Sequence, residues 1–138
     1  MKTYNIFVSH AWRYSEHYYK VMSWLEEAKQ DGLFDYKSYS VPIHDPLIDP
    51  NTSIGQQELQ RLLDAQIKPA SIVIILAGMY ATYSDWITFE INTSVKYSKN
   101  IIGVKPWGQE RIPQIVSINS NKLVGWNKHS IINAILEY

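Results

Sequence analysis

The sequence predicts one doubly wound α/β domain, a five-stranded parallel sheet with helices on both faces. Three observations carry that prediction. Short β-branched runs alternate with amphipathic helical patterns along the chain. The strongest run, Ser71-Ile72-Val73-Ile74-Ile75-Leu76-Ala77-Gly78, is apolar without alternation, as a central strand buried on both faces must be. The 138 residues, 46% hydrophobic and 19% charged, suit a single domain spanning residues 1–138 with a core of its own.

The elements follow in order. Tyr4-Asn5-Ile6-Phe7-Val8-Ser9 reads as the first strand. His17, Val21, Trp24, Leu25 and Ala28 recur at helical spacing, and Asp31-Gly32 closes that helix. The Tyr-rich stretch from Phe34 to Val41 alternates as a second strand. Pro42, Pro46 and Pro50 then forbid regular structure and make a long, semi-rigid loop over residues 42–51. Ser53-x-x-Gln56 has the spacing of a capping box, opening a helix whose Leu59, Leu62, Leu63 and Gln66 share a face until Pro69 ends it.

After the central strand, a turn through Met79–Tyr83 is expected to lead into a helix carrying Ile87, Ile91 and Val95 as its core stripe. A neighbouring stripe holds Trp86, Glu90, Thr93 and Tyr97, which places one carboxylate among two aromatic rings and a hydroxyl. Ile101-Ile102-Gly103-Val104 is a fourth strand, and Pro106 to Pro113 is irregular. Leu123-Val124-Gly125-Trp126 is a short fifth strand. Asn127 or Ser130 can cap a terminal helix carrying Ile131, Ile132, Ile135 and Leu136.

Composition narrows the function. Thirteen basic and thirteen acidic residues cancel, so no electrostatic footprint for nucleic acid or an anionic membrane is expected. The chain has no cysteine, which removes disulfides, thiolate catalysis and zinc-thiolate sites. His17 and His129 lack ligand spacing, and no metal site is expected. The N-terminal Met1-Lys2-Thr3-Tyr4 runs into a strand pattern without a signal-peptide core, and no apolar run reaches the roughly 18 residues of a membrane span. The expected location is the cytoplasm. Five Trp and ten Tyr supply either stacking surfaces or a well-filled core.

Parallel sheets of this type bind ligands beyond the carboxyl ends of their strands, where the strand order reverses. Ser9-His10-Ala11-Trp12, the loop at 42–51 and the start of the Glu90 helix all follow strand ends and should share that edge. A phosphoacceptor receiver would need acidic residues where Ser9-His10 and Ala77-Gly78 stand. A flavin-phosphate loop would need small residues where Ala11-Trp12-Arg13-Tyr14 stand, and no glycine-rich phosphate cradle occurs. A nuclease would need an acid-x-Lys pair on a strand, which Asp45, Asp49 and Glu58 do not make. Read from the residues alone, Glu90 is either a reactive carboxylate or a surface charge pairing with Lys96 or Lys99. Trp86 is either a stacking platform or packing. Asp45 is either a ligand contact or an Asx-turn before Pro46.

Ile6-Phe7-Val8-Ser9-His10, the loop at 42–51, Asp85-Trp86-Ile87-Thr88-Phe89-Glu90 with Lys99-Asn100-Ile101-Ile102, and Leu123-Val124-Gly125-Trp126 resemble, in that order, the landmarks of TIR domains. The resemblance covers nearly the whole chain. It is greatest to the short bacterial TIR-like proteins, a group that includes the TIR subunit of the Thoeris anti-phage system. It implies a flavodoxin-like three-layer fold and cleavage of NAD+, as substrate rather than cofactor, by Glu90. Ser9, His10, Trp12, Asp45 and Trp86 would line the substrate site. The implied product is a cyclic ADP-ribose isomer, read by a separate effector protein, with homo-oligomerisation on activation and a phage-derived trigger. The chain departs from many TIR NADases in placing Ala11-Trp12 before Arg13, and in a proline-laden rather than glycine-containing loop. The rival expectation is a non-catalytic TIR-like adaptor acting through protein–protein contacts.

Overall fold

A computed structural model describes residues 2–9, 16–39, 53–105 and 112–138, with the side chains of 53–54 and 79–83 outside the described set. Among the described residues five strands and five α-helices alternate: β1 (Thr3–Val8), α1 (Glu16–Gln30), β2 (Asp35–Ser38), α2 (Ser53–Ile67), β3 (Ile72–Leu76), α3 (Tyr80–Lys96), β4 (Asn100–Val104), α4 (Gln114–Asn119), β5 (Lys122–Val124) and α5 (Lys128–Leu136). A single 3₁₀ turn, Ala77–Met79, joins β3 to α3. The sheet order is β2-β1-β3-β4-β5, and every pairing is parallel. The reversal of strand order falls between β1 and β3. That is where the rule for open parallel sheets puts a ligand.

Side chains of the pleated strands alternate between two apolar layers. On one face Ile6, Val8, Ile72, Ile74, Leu76, Ile102 and Val104 pack with Tyr18, Val21 and Leu25 of α1 and Ile131, Ile132 and Ile135 of α5. On the other, Phe7, Val73, Ile75 and Ile101 pack with Leu59, Leu63 and Ile67 of α2, Ile87 and Ile91 of α3, and Val116 of α4. The all-apolar reading of the central strand holds, since all five residues of β3 are buried. Gly103 on β4 has a different reason for being there. A Cβ at that position would collide with the Ser120 hydroxyl and come within 2.9 Å of Leu123 Cδ1, so a bare backbone lets the segment after α4 close on the sheet.

The structure departs from expectation in several places, and β2, expected from Phe34 to Val41, spans Asp35–Ser38. The proposed turn over Met79–Tyr83 is already helical from Tyr80, because that stretch contains neither proline nor glycine to hold it open. Val95, expected in the core, is 51% exposed, and Ser94 is fully buried in its place. The segment before β5 contains the short helix α4, entered from Pro113. Of the two candidate caps for the last helix, Asn127 is the one used, its side chain accepting from the Ser130 amide at 2.8 Å. The Ser53 capping box and the whole loop at 42–51 lie outside the described residues.

Helices α1 and α3 end in the same way. The Leu33 amide donates to the Ala28 carbonyl and the Gly32 amide to Lys29; likewise Lys99 donates to Ser94 and Ser98 to Val95. Both are Schellman closures, which need a left-handed residue. At α1 that residue is glycine, with φ +76°, but at α3 it is Ser98, with φ 55°. Replacing Ser98 with glycine is therefore expected to stabilise the protein by up to about 1 kcal/mol. A urea titration checks this, and a midpoint unmoved or lowered would contradict it.

Candidate functional site

Ser9 follows β1 directly and extends its ladder, its amide donating to the Ile74 carbonyl of β3 at 2.7 Å. Strand alternation puts its side chain on the Phe7 side of the sheet, the side covered by α2 and α3. Ser9 is 1% exposed, and its hydroxyl has no hydrogen-bond partner among the described residues. A buried hydroxyl left in that condition costs free energy. Its position beside the β1–β3 switch suits a group kept ready for a ligand.

Glu90 lies on the same side of the sheet. It sits ten residues beyond Tyr80, the first residue of α3, roughly 15 Å along the helix axis. Ile87 and Ile91 anchor this part of α3 in the core, and Glu90 between them is fully removed from solvent. That corrects the picture of a surface carboxylate exchanging partners with Lys96 or Lys99. Lys96 instead binds Asp64 of α2, Nζ to Oδ2 at 3.0 Å. Burying a carboxylate is expensive, and folds retain one where it has chemical use or a dedicated partner.

Trp86, one turn before Glu90, is half-buried and packs against the α2–α3 core layer, leaving part of its ring exposed. Thr93 is 5% exposed and Ser94 fully buried, so a run of polar groups from Glu90 to Ser94 lies inside an otherwise apolar helix face. The Ser94 hydroxyl donates to the Glu90 carbonyl oxygen at 2.7 Å. The lower end of α3 is tied to α2, where the Tyr97 hydroxyl donates to Asp64 Oδ1 at 2.7 Å. The expected stripe Trp86–Glu90–Thr93–Tyr97 is thus real as a set of buried and half-buried side chains, with Tyr97 assigned to helix packing.

The Tyr97 hydroxyl first, and Lys96 second, hold the Asp64 carboxyl below the usual range for aspartate. A carboxyl lowered by folding stabilises the fold above its unfolded pKa and loses that contribution as the pH falls through the folded value. An Asp64→Asn variant should therefore lose less stability than the wild type between pH 4 and pH 2, and equilibrium unfolding at both pH values checks it.

Ser9, Trp86 and Glu90 are brought to one side of the sheet. His10, Trp12 and Asp45 lie outside the described residues. Ser94 was absent from the expected site, although its place seven residues after Ile87 marks it as inward-facing. Among the described residues no three His, Asp or Glu side chains cluster as metal ligands, and no helix is long and apolar enough to cross a membrane.

A family model described as "Thoeris protein ThsB, TIR-like domain" matches residues 7–111. No curated protein sequence matches the chain significantly. Among solved structures, the 2-deoxyribosyltransferase of Bacillus psychrosaccharolyticus is similar, with a TM-score of 0.66 at 16% identity over 96% of this chain and 95% of that one. The Clostridium botulinum CMP N-glycosidase BcmB follows with a TM-score of 0.55 at 13% identity, over 95% and 96%. A prokaryotic SEFIR domain has a TM-score of 0.51 at 13% identity, over 97% and 94%. At these identities the likeness is one of fold.

Proposed function

This chain belongs to the family of the Thoeris protein ThsB TIR-like domain, and we propose that it consumes NAD+, breaking the nicotinamide–ribose bond to make a cyclic ADP-ribose isomer. The observation that carries the proposal is Glu90, a carboxylate with no solvent exposure, one helical turn beyond a half-exposed tryptophan. It lies on the sheet face toward which the Ser9 hydroxyl, without a partner among the described residues, is also directed.

Leaving of nicotinamide builds positive charge at the ribose anomeric carbon. A fixed carboxylate stabilises that charge more effectively away from water, because little solvent screens it and nothing has to reorganise as the charge forms. The same reasoning explains the paired carboxylates of glycoside hydrolysis. Trp86 would stack on the departing nicotinamide ring. The Ser9 hydroxyl, at the end of β1, would hydrogen-bond the ligand above the switch point. Capture of the ribosyl cation by a nucleophile of the same nucleotide, rather than by water, closes the ring.

The likeness of fold to a named N-glycosidase and a named deoxyribosyltransferase is compatible with chemistry at a ribosyl carbon, although a fold alone does not assign it. The product would act in the cytoplasm as a diffusible signal to a separate effector protein in anti-phage defence, with self-assembly accompanying activation by a phage-derived trigger.

Mass spectrometry of nucleotides from cells making the wild type or Glu90→Ala, with and without phage, tests this reading. NAD+ loss and a new ADP-ribose isomer confined to the wild type are the expected result. Unchanged nucleotides under every condition, with protection indifferent to the substitution, would replace the enzyme by an adaptor.

A further inference from the structure

We infer that Ser94 is a positioning residue for Glu90, setting the carboxylate through the backbone of α3; the inference rests on the NAD+-cleaving role proposed for Glu90. The two residues are in direct contact. Ser94 Oγ donates to the Glu90 carbonyl oxygen at 2.7 Å, and both residues are fully buried.

In a regular helix that carbonyl already accepts the Ser94 amide. A second donor on the same oxygen draws the carbonyl outward and bends the helix locally, an effect characteristic of serine and threonine bonded back by one turn. In water such a bond is exchangeable, but at a site without solvent exposure nothing competes for it. The hydroxyl therefore fixes the inclination of the peptide that leaves Glu90, and with it the direction of the Glu90 Cα–Cβ bond.

The setting gives that direction consequence. Ile87 and Ile91 clamp the helix on either side of Glu90. Below it, the Tyr97 hydroxyl on Asp64 fixes the rotation of the helix end. The Ser94 hydroxyl acts on the backbone between these two anchors, at the carbonyl of Glu90 itself. Alanine would be a better residue by helix propensity and would bury no polar atom. The serine carries a cost in stability and imposes a geometry.

Small displacements of a reacting group lower turnover steeply, because the bound geometry must be close to that of attack. Ser94→Ala deletes the hydroxyl, favours the helix and opens no large cavity, so the variant should fold. The test is steady-state kinetics of NAD+ consumption by the purified full chain, wild type and Ser94→Ala, each supplied with lysate of phage-infected cells that lack the protein, with a thermal melt of each. The expected result is a kcat lowered about tenfold or more, a KM within about twofold of the wild type and a melting temperature that does not fall. Equal turnover, or a loss expressed in KM, overturns the inference.

A second readout does not depend on activity. The ¹³C resonance of the Glu90 carboxyl carbon is followed through a pH titration in both proteins. A displaced midpoint in Ser94→Ala supports the positioning role, and coincident curves overturn it. A wild type that consumes no NAD+ even with that lysate sinks the enzyme reading while the titration still decides the role of Ser94.

Discussion

Glu90→Gln is expected to reduce NAD+ cleavage by on the order of 10²–10³-fold while the protein stays folded. Glutamine keeps the length, the shape and a carbonyl acceptor but cannot supply the negative charge that the ribosyl cation needs. Glu90 is fully buried, and glutamine fills the same volume while keeping hydrogen-bonding capacity, so the core around it stays packed. The pairing of outcomes is the informative part. Activity lost with the melting temperature retained locates the effect in the transition state. Activity and fold lost together would mean that the carboxylate is a structural group, and activity retained would remove Glu90 from the chemistry.

Phe7→Ala should be the most destabilising single change in the sheet, by about 3–5 kcal/mol. Phe7 is fully buried in β1 and is among the largest side chains so placed. It fills the layer between the sheet and α2–α3, where Val73, Ile75 and Leu63 surround the same space. The rigid strand cannot move to close the void, so the cavity cost adds to the lost burial. A domain of this size has a total stability of only about 5–15 kcal/mol, so the variant should melt well below the wild type and bind hydrophobic dyes near physiological temperature. Calorimetry measures it. A loss under about 1 kcal/mol would show that the layer can collapse around the gap.

The parts of the fold that were legible share one property, a periodicity expressed over many residues. The uninterrupted apolar run of β3 specified a strand covered on both faces, and the alternation of such runs with helical patterns specified a parallel sheet. Helix phase was harder. Counting Ile87, Ile91 and Val95 in steps of four lets the stripe drift, because four residues turn the chain through about 400°, and two steps leave it about 80° off the starting direction. Seven residues fall short of two turns by only about 20°. Ser94 consequently faces inward, and Val95 outward at 51% exposure. A serine carries no hydrophobic signal, so the pattern named the wrong neighbour.

Of the candidate site, the sequence named an acid but not its setting. Glu90 could be singled out by its spacing from Trp86 and by resemblance, but its complete burial depends on packing by other elements, which the sequence of α3 does not contain. The Ser9 hydroxyl was found by its place after a strand. That it has no partner among the described residues could be seen only in three dimensions. The identity of the α2–α3 tie was equally hidden, since Asp64 and Tyr97 are 33 positions apart.

The all-parallel order also governs how this chain is made. No strand pairs with its partner through a hairpin, and β1 sits between β2 and β3, so its second edge is satisfied only by residues far downstream. The Asn5 carbonyl accepts the Ser71 amide across 66 positions. During synthesis β1 therefore leaves the ribosome with β2 as its only available neighbour, and its inner edge stays open until β3 has emerged. Closing such long loops makes folding slow, and the waiting apolar strand is a point of vulnerability to aggregation and to chaperone capture. Yield of active protein should accordingly respond to translation speed between β2 and β3 more than to changes near the C-terminus.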